Sequence, residues 1–169
     1  MHTTPDPITR YFEDDGQIPN NPALPVVILK AALDPTLSPD EIHAIQRGNG
    51  WGGNWVWSVF DYHHWHPDAH EALCVASGEA ELMLGGAGGE VFRVVAGDTL
   101  VLPAGTGHCR LSSSADFAVC GAYPKGQESY STCRAGEGRA RVAGIATVPL
   151  PDTDPVFGAD GPLMRAWRG

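Results

Sequence analysis

Residues 64–71 read HWHPDAHE, and residues 97–108 read GDTLVLPAGTGH. Successive side chains of a β-strand alternate between its two faces, so His64 and His66 share a face, with Cα atoms about 6.6 Å apart. Two imidazoles at that spacing can bind one ion at about 2.0–2.1 Å. A short polar turn lets the next strand bring a carboxylate back beside the pair, and a distant hairpin adds a third imidazole. The two stretches predict a metal site inside a β-barrel, with the ligands His64, His66, Glu71 and His108.

Histidines are concentrated in this part of the chain, since five of the seven lie between residues 63 and 108. Alternation directs the side chains of His63 and His70 away from the predicted site. A slip of one residue in strand register would reverse every side chain, so His63 is an alternative to His64, and His70 to Glu71. A degenerate site that keeps the fold and holds no ion is a further alternative.

Three imidazoles and one carboxylate are a borderline ligand set. They suit Mn, Fe, Co, Ni, Cu or Zn, whereas Ca and Mg prefer oxygen ligands throughout. The sequence does not choose among the six transition metals. Four protein ligands on an octahedral ion would leave two positions for water, O₂ or an oxygen-bearing substrate.

The strand pattern indicates an all-β domain. Short apolar segments alternate with glycine- and serine-rich turns, which is typical of a sandwich or barrel and unlike a βαβ repeat. The predicted strands from residue 55 onwards are 55–66, 71–77, 79–84, 90–95, 99–102, 107–111 and 117–123. Ser38, Pro39 and Glu41 form a capping box that predicts a short peripheral helix near residues 38–47.

The chain is expected to be one domain spanning residues 1–169, because its length is typical of a single core. Its predicted parts are an N-terminal arm at 1–25, the barrel at 26–123 and a C-terminal extension at 124–169. Within the extension, residues 139–147 favour a short helix or a strand. The glycine-rich segment 48–54 is interpreted as a flexible lip, whose Trp51 would cover the barrel mouth or a partner subunit.

Alternation along the predicted strand 55–66 also assigns the cavity wall and the outer face. Val56, Phe60 and Tyr62 fall on the face of His64, so we expect them to contact a bound molecule. Three tryptophans fall on the opposite face, where a monomer would expose a large apolar patch. Pairing with a second subunit or cover from the N-terminal arm would bury that patch, and a homodimer is predicted. The tryptophans concerned are Trp55, Trp57 and Trp65.

Composition excludes some classes of partner. The formal net charge is −9, and no basic stretch is present, which argues against binding to nucleic acid or to an anionic membrane surface. No signal-like N-terminus and no long apolar run occur, so a cytoplasmic location is expected.

The motifs resemble those of the cupins. The first cupin motif is Gly, five residues, His-x-His, three or four residues, Glu, six residues and Gly, and residues 58–78 match it except for Ser58 at the opening glycine. The second is Gly, five residues, Pro-x-Gly, two residues, His, three residues and Asn, and residues 97–112 match it except for Ser112 at the closing asparagine. Neither departure is at a ligand position. Wider likeness at residues 20–22, 121–124 and 154–158 is to small bacterial single-domain cupins of unassigned function.

The resemblance implies a double-stranded β-helix, or jelly-roll barrel, with one divalent metal. It allows a metal-dependent enzyme of the oxygenase, decarboxylase or isomerase type, acting on a small oxygen-bearing organic molecule. A metal-stabilised module that binds or senses a small molecule without turnover is the alternative, because one barrel hosts many chemistries.

Overall fold

The computed structural model describes residues 4–168; residues 1–3 and 169, at the ends of the predicted arm and extension, lie outside the described part. Eleven strands, two α-helices and one 3₁₀-helix at Arg139–Thr147 occur in the described part. The strands and α-helices are, in chain order, β1 Ile8–Arg10, β2 Val26–Leu29, α1 Pro39–Gly48, β3 Trp51–Trp57, β4 His64–Trp65, β5 Glu71–Ser77, β6 Glu79–Leu84, β7 Glu90–Val95, β8 Thr99–Leu102, β9 His108–Ser113, β10 Ala118–Pro124, β11 Cys133–Arg134 and α2 Pro162–Arg168.

The strands form two antiparallel sheets. One has the order β1-β2-β8-β5-β10-β3, and the other has the order β11-β4-β9-β6-β7. The largest apolar cluster combines residues of both sheets, with Leu73 and Leu100 from the first and Leu82 and Val94 from the second. The core therefore lies between the sheets, and the predicted all-β jelly roll is confirmed. Six of the seven predicted strands agree with observed ones to within two residues at each end.

The predicted peripheral helix is confirmed as α1. The Ser38 hydroxyl accepts from the Glu41 amide at 3.2 Å, and the Glu41 carboxylate accepts from the Ser38 amide at 3.0 Å. These bonds satisfy two of the amide groups that a helix start leaves without partners. The helix buries Ile42 against the first sheet.

The predicted strand 55–66 is wrong, because the chain changes sheets within it. Strand β3 pairs with β10 in the first sheet, whereas β4 pairs with β9 and β11 in the second. The irregular residues 58–63 make the crossing, so alternation does not continue from His64 back to β3. As a result Val56 faces outward and is 46% exposed, which contradicts its predicted place on the cavity wall.

The predicted flexible lip at residues 48–54 is also wrong. Strand β3 begins inside it, and the register pairs Trp51 with Pro124 of β10. The Trp51 side chain is buried in a second apolar cluster, and its indole Nε1 donates to the Thr153 carbonyl at 2.9 Å. Pairing with β10 holds residues from Trp51 onwards in the sheet and buries the Trp51 side chain, which a glycine-rich composition does not reveal.

The C-terminal extension contains two elements that the sequence pattern did not predict, β11 and α2. Helix α2 buries Leu163 and Trp167, and the Trp167 indole donates to the Pro25 carbonyl at 2.9 Å. Before it, the buried Asp154 carboxylate accepts from the amides of Val156 and Leu163. The end of the extension therefore packs on the first sheet through α2, and Asp154 fixes the turn that leads into this helix.

The expected outward patch of three tryptophans does not form. Trp65 is fully buried beneath Ile18 of the N-terminal arm and Ile145 of the extension, and Trp55 is half-buried. Only Trp57 of the three is largely exposed, at 53%. The arm thus contributes to the cover, together with the extension, and the homodimer stays a prediction that has lost its original support. Within residues 4–168, no helix has the length and apolar character needed to cross a membrane.

Candidate metal centre

Three buried histidines converge between the sheets. His64 is the first residue of β4, and His66 comes directly after the end of that strand. His108 is the first residue of β9, and the strand register pairs it with His64. One nitrogen from each ring can be chosen so that all three lie within 4.8 Å of one another. The side chains are 2–6% exposed. Pairing of β4 with β9 is what joins the first motif to the second.

The backbone orients each imidazole. The Nδ1 atoms of His64, His66 and His108 lie 3.1, 2.9 and 3.0 Å from the carbonyl oxygens of Tyr62, Ser131 and Thr106. A carbonyl only accepts, so each Nδ1 carries the proton in the neutral ring, and each Nε2 is left with a free lone pair. This is the arrangement that fixes the tautomer of metal-binding histidines.

Glu71, on β5 of the other sheet, lies beside two of these histidines and is not part of the three-histidine cluster. Its Oε1 lies 3.1 Å from His108 Nε2, and its Oε2 lies 3.4 Å from His66 Nε2. The Tyr123 hydroxyl donates to Oε2 at 2.6 Å and itself accepts from the Trp55 indole at 2.8 Å. Within the described part of the chain, the buried Oε1 has no hydrogen-bond partner.

The pKa shifts of Glu71 and His66 show that the buried Glu71 carboxylate favours a positive charge beside it. Burial raises the pKa of the Glu71 carboxyl, but the charges of the neighbouring His66 and His108 outweigh burial and hold that pKa well below its usual range. Burial lowers the pKa of His66, but the Glu71 carboxylate outweighs burial and the pKa is raised. Burial, reinforced by the charge of His108, lowers the pKa of His64 to about 2. A neutral His64 keeps its lone pair free at neutral pH.

These residues fit a divalent transition metal. The three imidazoles converge, and a carboxylate oxygen without a donor lies 3.1 Å from the Nε2 atom of one of them. A cation would satisfy all of these groups. Nitrogen donors in the majority favour Mn, Fe, Co, Ni, Cu or Zn over Ca and Mg.

The two alternative ligands lie outside this cluster. His63 is half-buried, and its backbone carbonyl accepts from the Ala135 amide at 3.2 Å. His70 is fully buried, and its Nδ1 accepts from the Ala104 amide at 2.9 Å while its ring contacts Trp167 at 4.9 Å between centroids. The cluster of three histidines contains neither of them.

A cavity of about 310 Å³ opens directly on the cluster. Of the three residues predicted to contact a bound molecule, Phe60 lines it, while Val56 and Tyr62 do not. The Tyr62 ring instead stacks on Phe60 at 4.8 Å and lies beneath the Arg134 guanidinium at 3.9 Å. The described residues that line the cavity are Trp55, Trp57, Ser58, Val59, Phe60, His64, His66, Glu71, Leu73, His108, Tyr123, Tyr130 and Thr132.

Sequence reasoning missed six of these wall residues, which are Trp55, Trp57, Val59, Tyr123, Tyr130 and Thr132. Strict alternation along β3 puts Trp55 on the same face as Trp51, which packs in the cluster around Trp167. Trp55 lines the cavity instead, because the pairing of β3 with β10 shifts register between Gly121 and Tyr123. Gly121 on β10 leaves the space that this indole occupies, because a Cβ there would lie 2.1 Å from the Trp55 side chain. Nothing in the local sequence marks Tyr130 or Thr132, which follow the last predicted strand.

Comparison with known proteins is consistent with this geometry. The family model described as the cupin domain matches residues 59–115. The chain is 42% identical over 160 residues to the uncharacterized protein YjlB of Bacillus subtilis, covering 94% of this chain and 95% of that protein. The chain belongs to the cupin family.

Solved structures similar to this cupin include two bacterial proteins. Acireductone dioxygenase from Bacillus anthracis with a cadmium ion in its active centre is 16% identical, with 60% of this chain and 79% of that chain covered and a TM-score of 0.41. A conserved protein from Klebsiella pneumoniae with a double-stranded β-helix domain is 17% identical, with 81% and 85% covered and a TM-score of 0.40.

The two departures of this cupin from the family motifs lie in different places. Ser58, at the opening glycine position, belongs to the irregular crossing segment and lines the cavity. Ser112, at the closing asparagine position, is exposed on β9, and its hydroxyl donates to Glu81 at 3.3 Å. Neither serine is one of the four predicted ligands.

Proposed function

We propose that this cupin is a metal-dependent enzyme in which His64, His66, Glu71 and His108 bind one divalent transition metal. Its substrate is a small oxygen-bearing organic molecule, and its reaction is of the oxygenase, decarboxylase or isomerase type. A bound divalent ion would polarise a carbonyl or enol oxygen of that molecule.

The observation that carries the proposal is the position of the four donor groups. They meet where the cavity begins, so one side of the cluster faces the sheets and the other faces open space. A structural metal site is normally closed by protein ligands, whereas a catalytic site leaves a position free.

The surrounding residues have separable roles. Tyr123 holds Glu71 Oε2 by its hydroxyl, which leaves Oε1 as the oxygen available to an ion. The Ser131 carbonyl orients His66. Val59 and Leu73 form an apolar wall beside the ligands, which reduces the access of bulk water and strengthens electrostatic interactions within the cavity.

A binding or sensing module without turnover is the second candidate. Among the described residues that line the cavity, Glu71 is the only carboxylate, and it is assigned as a ligand. No second carboxylate or lysine there can act as a general base. Single-turnover analysis of candidate compounds with the metal-loaded protein separates the two functions, because a module returns every compound unchanged.

The metal assignment is tested with matched histidine variants. Elemental analysis of the wild-type protein after dialysis is expected to give about one transition metal per chain. We expect His108→Ala to lose the metal and to keep most of the fold. The control is His63→Ala, which removes a histidine next to His64 but outside the cluster, and it should keep the metal. Full metal content in His108→Ala, or metal loss in His63→Ala alone, contradicts the assignment.

The open position is tested separately. With Co²⁺ in the site, addition of azide should change the visible absorption spectrum, because an exogenous ligand then enters the coordination sphere. Identical spectra with and without saturating azide would indicate an ion closed by protein ligands, and the enzymatic proposal would give way to a structural one.

A further inference from the structure

The cavity wall is mainly aromatic, and its rings approach the donor cluster at two of the histidines. Phe60 meets His64 edge-on, with 5.0 Å between centroids, and Trp57 packs against Phe60 at 5.0 Å. Tyr130 meets His66 edge-on at 4.9 Å and stacks on Tyr123 at 4.0 Å. An occupant that extends away from the donors therefore meets ring faces and edges.

The charge of the wall is equally restrictive. Within the described part of the chain, no lysine or arginine side chain lines the cavity, and Glu71 is the only acidic one. The Arg134 guanidinium is taken up on the Tyr62 ring, and the Arg110 Nε donates to the Val59 carbonyl at 3.0 Å. The cavity therefore offers no cation of its own to an anion.

These facts set the charge that the cavity accepts. A divalent ion and the Glu71 carboxylate together carry one net positive charge. An occupant with one negative charge neutralises it, whereas a dianion leaves an unpaired negative charge in a buried aromatic site, which is costly.

Size restricts the occupant further. A cavity of about 150 Å³ is sufficient to bind benzene. The 310 Å³ found here is near the lower end for ligand sites, so it holds one substituted ring and little more.

We propose that the substrate class of this site is a flat, single-ring, oxygen-bearing molecule that binds as a monoanion, and that the site discriminates against small dianions. This inference rests on the proposed metal-dependent function. Trp57 and Phe60 supply ring contacts on the His64 side, and Tyr130 supplies them on the His66 side.

Three chelating probes separate the effects of ring and charge. Acetohydroxamate and benzohydroxamate have the same chelating group and bind as monoanions, but the first carries a methyl group where the second carries a phenyl ring. Oxalate is a small dianion. Their dissociation constants are measured by calorimetry with the full-length protein loaded with Zn²⁺, which has no redox chemistry. Each affinity is divided by the affinity of that probe for free Zn²⁺ in the same buffer.

After this correction, benzohydroxamate is expected to bind about tenfold or more tightly than acetohydroxamate, because its ring is removed from water. Oxalate is expected to bind about tenfold or more weakly than acetohydroxamate. Equal affinities for the two hydroxamates, or stronger binding of oxalate, overturn the inference.

Variants on β3 test which side chain is responsible for the preference for benzohydroxamate. Trp57→Ala removes a cavity ring that is 53% exposed, so the fold is expected to survive and the preference for benzohydroxamate to shrink several-fold. Val56→Ala is the matched control, since Val56 is its exposed neighbour outside the cavity, and it should leave all three affinities unchanged. An equal loss of preference in both variants contradicts the assigned wall.

Failure of the underlying function is recognised before any probe is added. A protein that does not retain Zn²⁺ after dialysis overturns the proposed metal site, and this inference with it. A protein that retains Zn²⁺ and prefers oxalate overturns only the substrate class.

Discussion

The ligand-bearing region, residues 64–108, and the C-terminal region, residues 127–167, build the same site in different ways. The first supplies every proposed ligand from two short motifs, which the pairing of β4 with β9 brings together. The second supplies walls and supports through contacts with residues far away in the sequence. Tyr130 and Thr132 line the cavity, and the Ser131 carbonyl accepts from His66. Ligand identity is thus local in the sequence, while the environment of the ligands is not.

The two regions are linked behind His66 by a small polar network. The Ser131 amide donates to Asp68 at 2.9 Å, and Arg141 donates to the Ser131 hydroxyl at 2.9 Å and to Asp68 at 3.1 Å. A change in the C-terminal region can therefore reach the donor cluster without touching a ligand. This comparison predicts four graded effects.

The largest effect is expected from Glu71→Gln in the ligand-bearing region. The substitution keeps the shape but removes the negative charge of the donor set. Metal affinity should fall by more than the 10- to 100-fold that loss of a hydrogen-bonding support typically costs. Competition with a chelator measures the affinity. The control is Glu79→Gln, which removes an exposed carboxylate paired with Arg93 and should leave the metal affinity unchanged. Unchanged affinity in Glu71→Gln would exclude this carboxylate as a ligand.

The second effect separates stability from metal binding. Trp167→Ala should lower the free energy of unfolding by about 3–5 kcal/mol, because it removes a buried indole from the apolar cluster around Trp51. Urea unfolding measures the loss, while the folded fraction should keep its full metal content. Trp57→Ala, at an exposed site, should cost about 1 kcal/mol or less. If Trp167→Ala lost more metal than its unfolded fraction explains, α2 would be shown to support the ligands directly.

The third effect is the pH dependence of the metal-free protein. Burial lowers the pKa of His70 to about 4, against 6.5 in the unfolded chain. Between these values the unfolded state binds the extra proton, so stability is lost as the pH falls from about 6.5 to about 4. The loss from this group is about 3 kcal/mol. Urea unfolding at pH 7 and pH 4 should show a correspondingly smaller loss in His70→Gln, and an equal loss in both proteins would contradict the shift.

The smallest effect tests the network behind His66. Arg141→Ala is expected to weaken metal binding about two- to fivefold, since exposed ion pairs contribute at most about 1 kcal/mol. Arg139→Ala is the matched control, because Arg139 lies on the same 3₁₀-helix and pairs with Asp14 of the arm. Equal metal affinities in the two variants would show that the network does not reach the donor cluster.

Most strands and the helix α1 were predictable because their signals are short-range. The capping box at Ser38 and the alternating segments from residue 71 onwards carry their own turn and cap residues. The convergence of His64 and His66 with His108 is long-range, because it depends on the pairing of β4 with β9, and it was predicted with the help of the two cupin-like motifs. The crossing at 58–63 was not, because alternation says nothing about which sheet a strand joins, and the error at Val56 followed from it.

By itself, the sequence determined an all-β sandwich or barrel and the turn positions, since both depend on residue type and on spacing of a few residues. The resemblance to cupins added the jelly-roll class and the four proposed ligands. Only the tertiary structure decided the cavity wall. Pairing of β3 with β10 placed Trp55 inside and beside Tyr123, and docking of the C-terminal region brought Tyr130 to His66 and covered Trp65. Such contacts join residues separated by tens of positions, and they form because apolar area must be buried somewhere. No local pattern specifies which distant segment buries it.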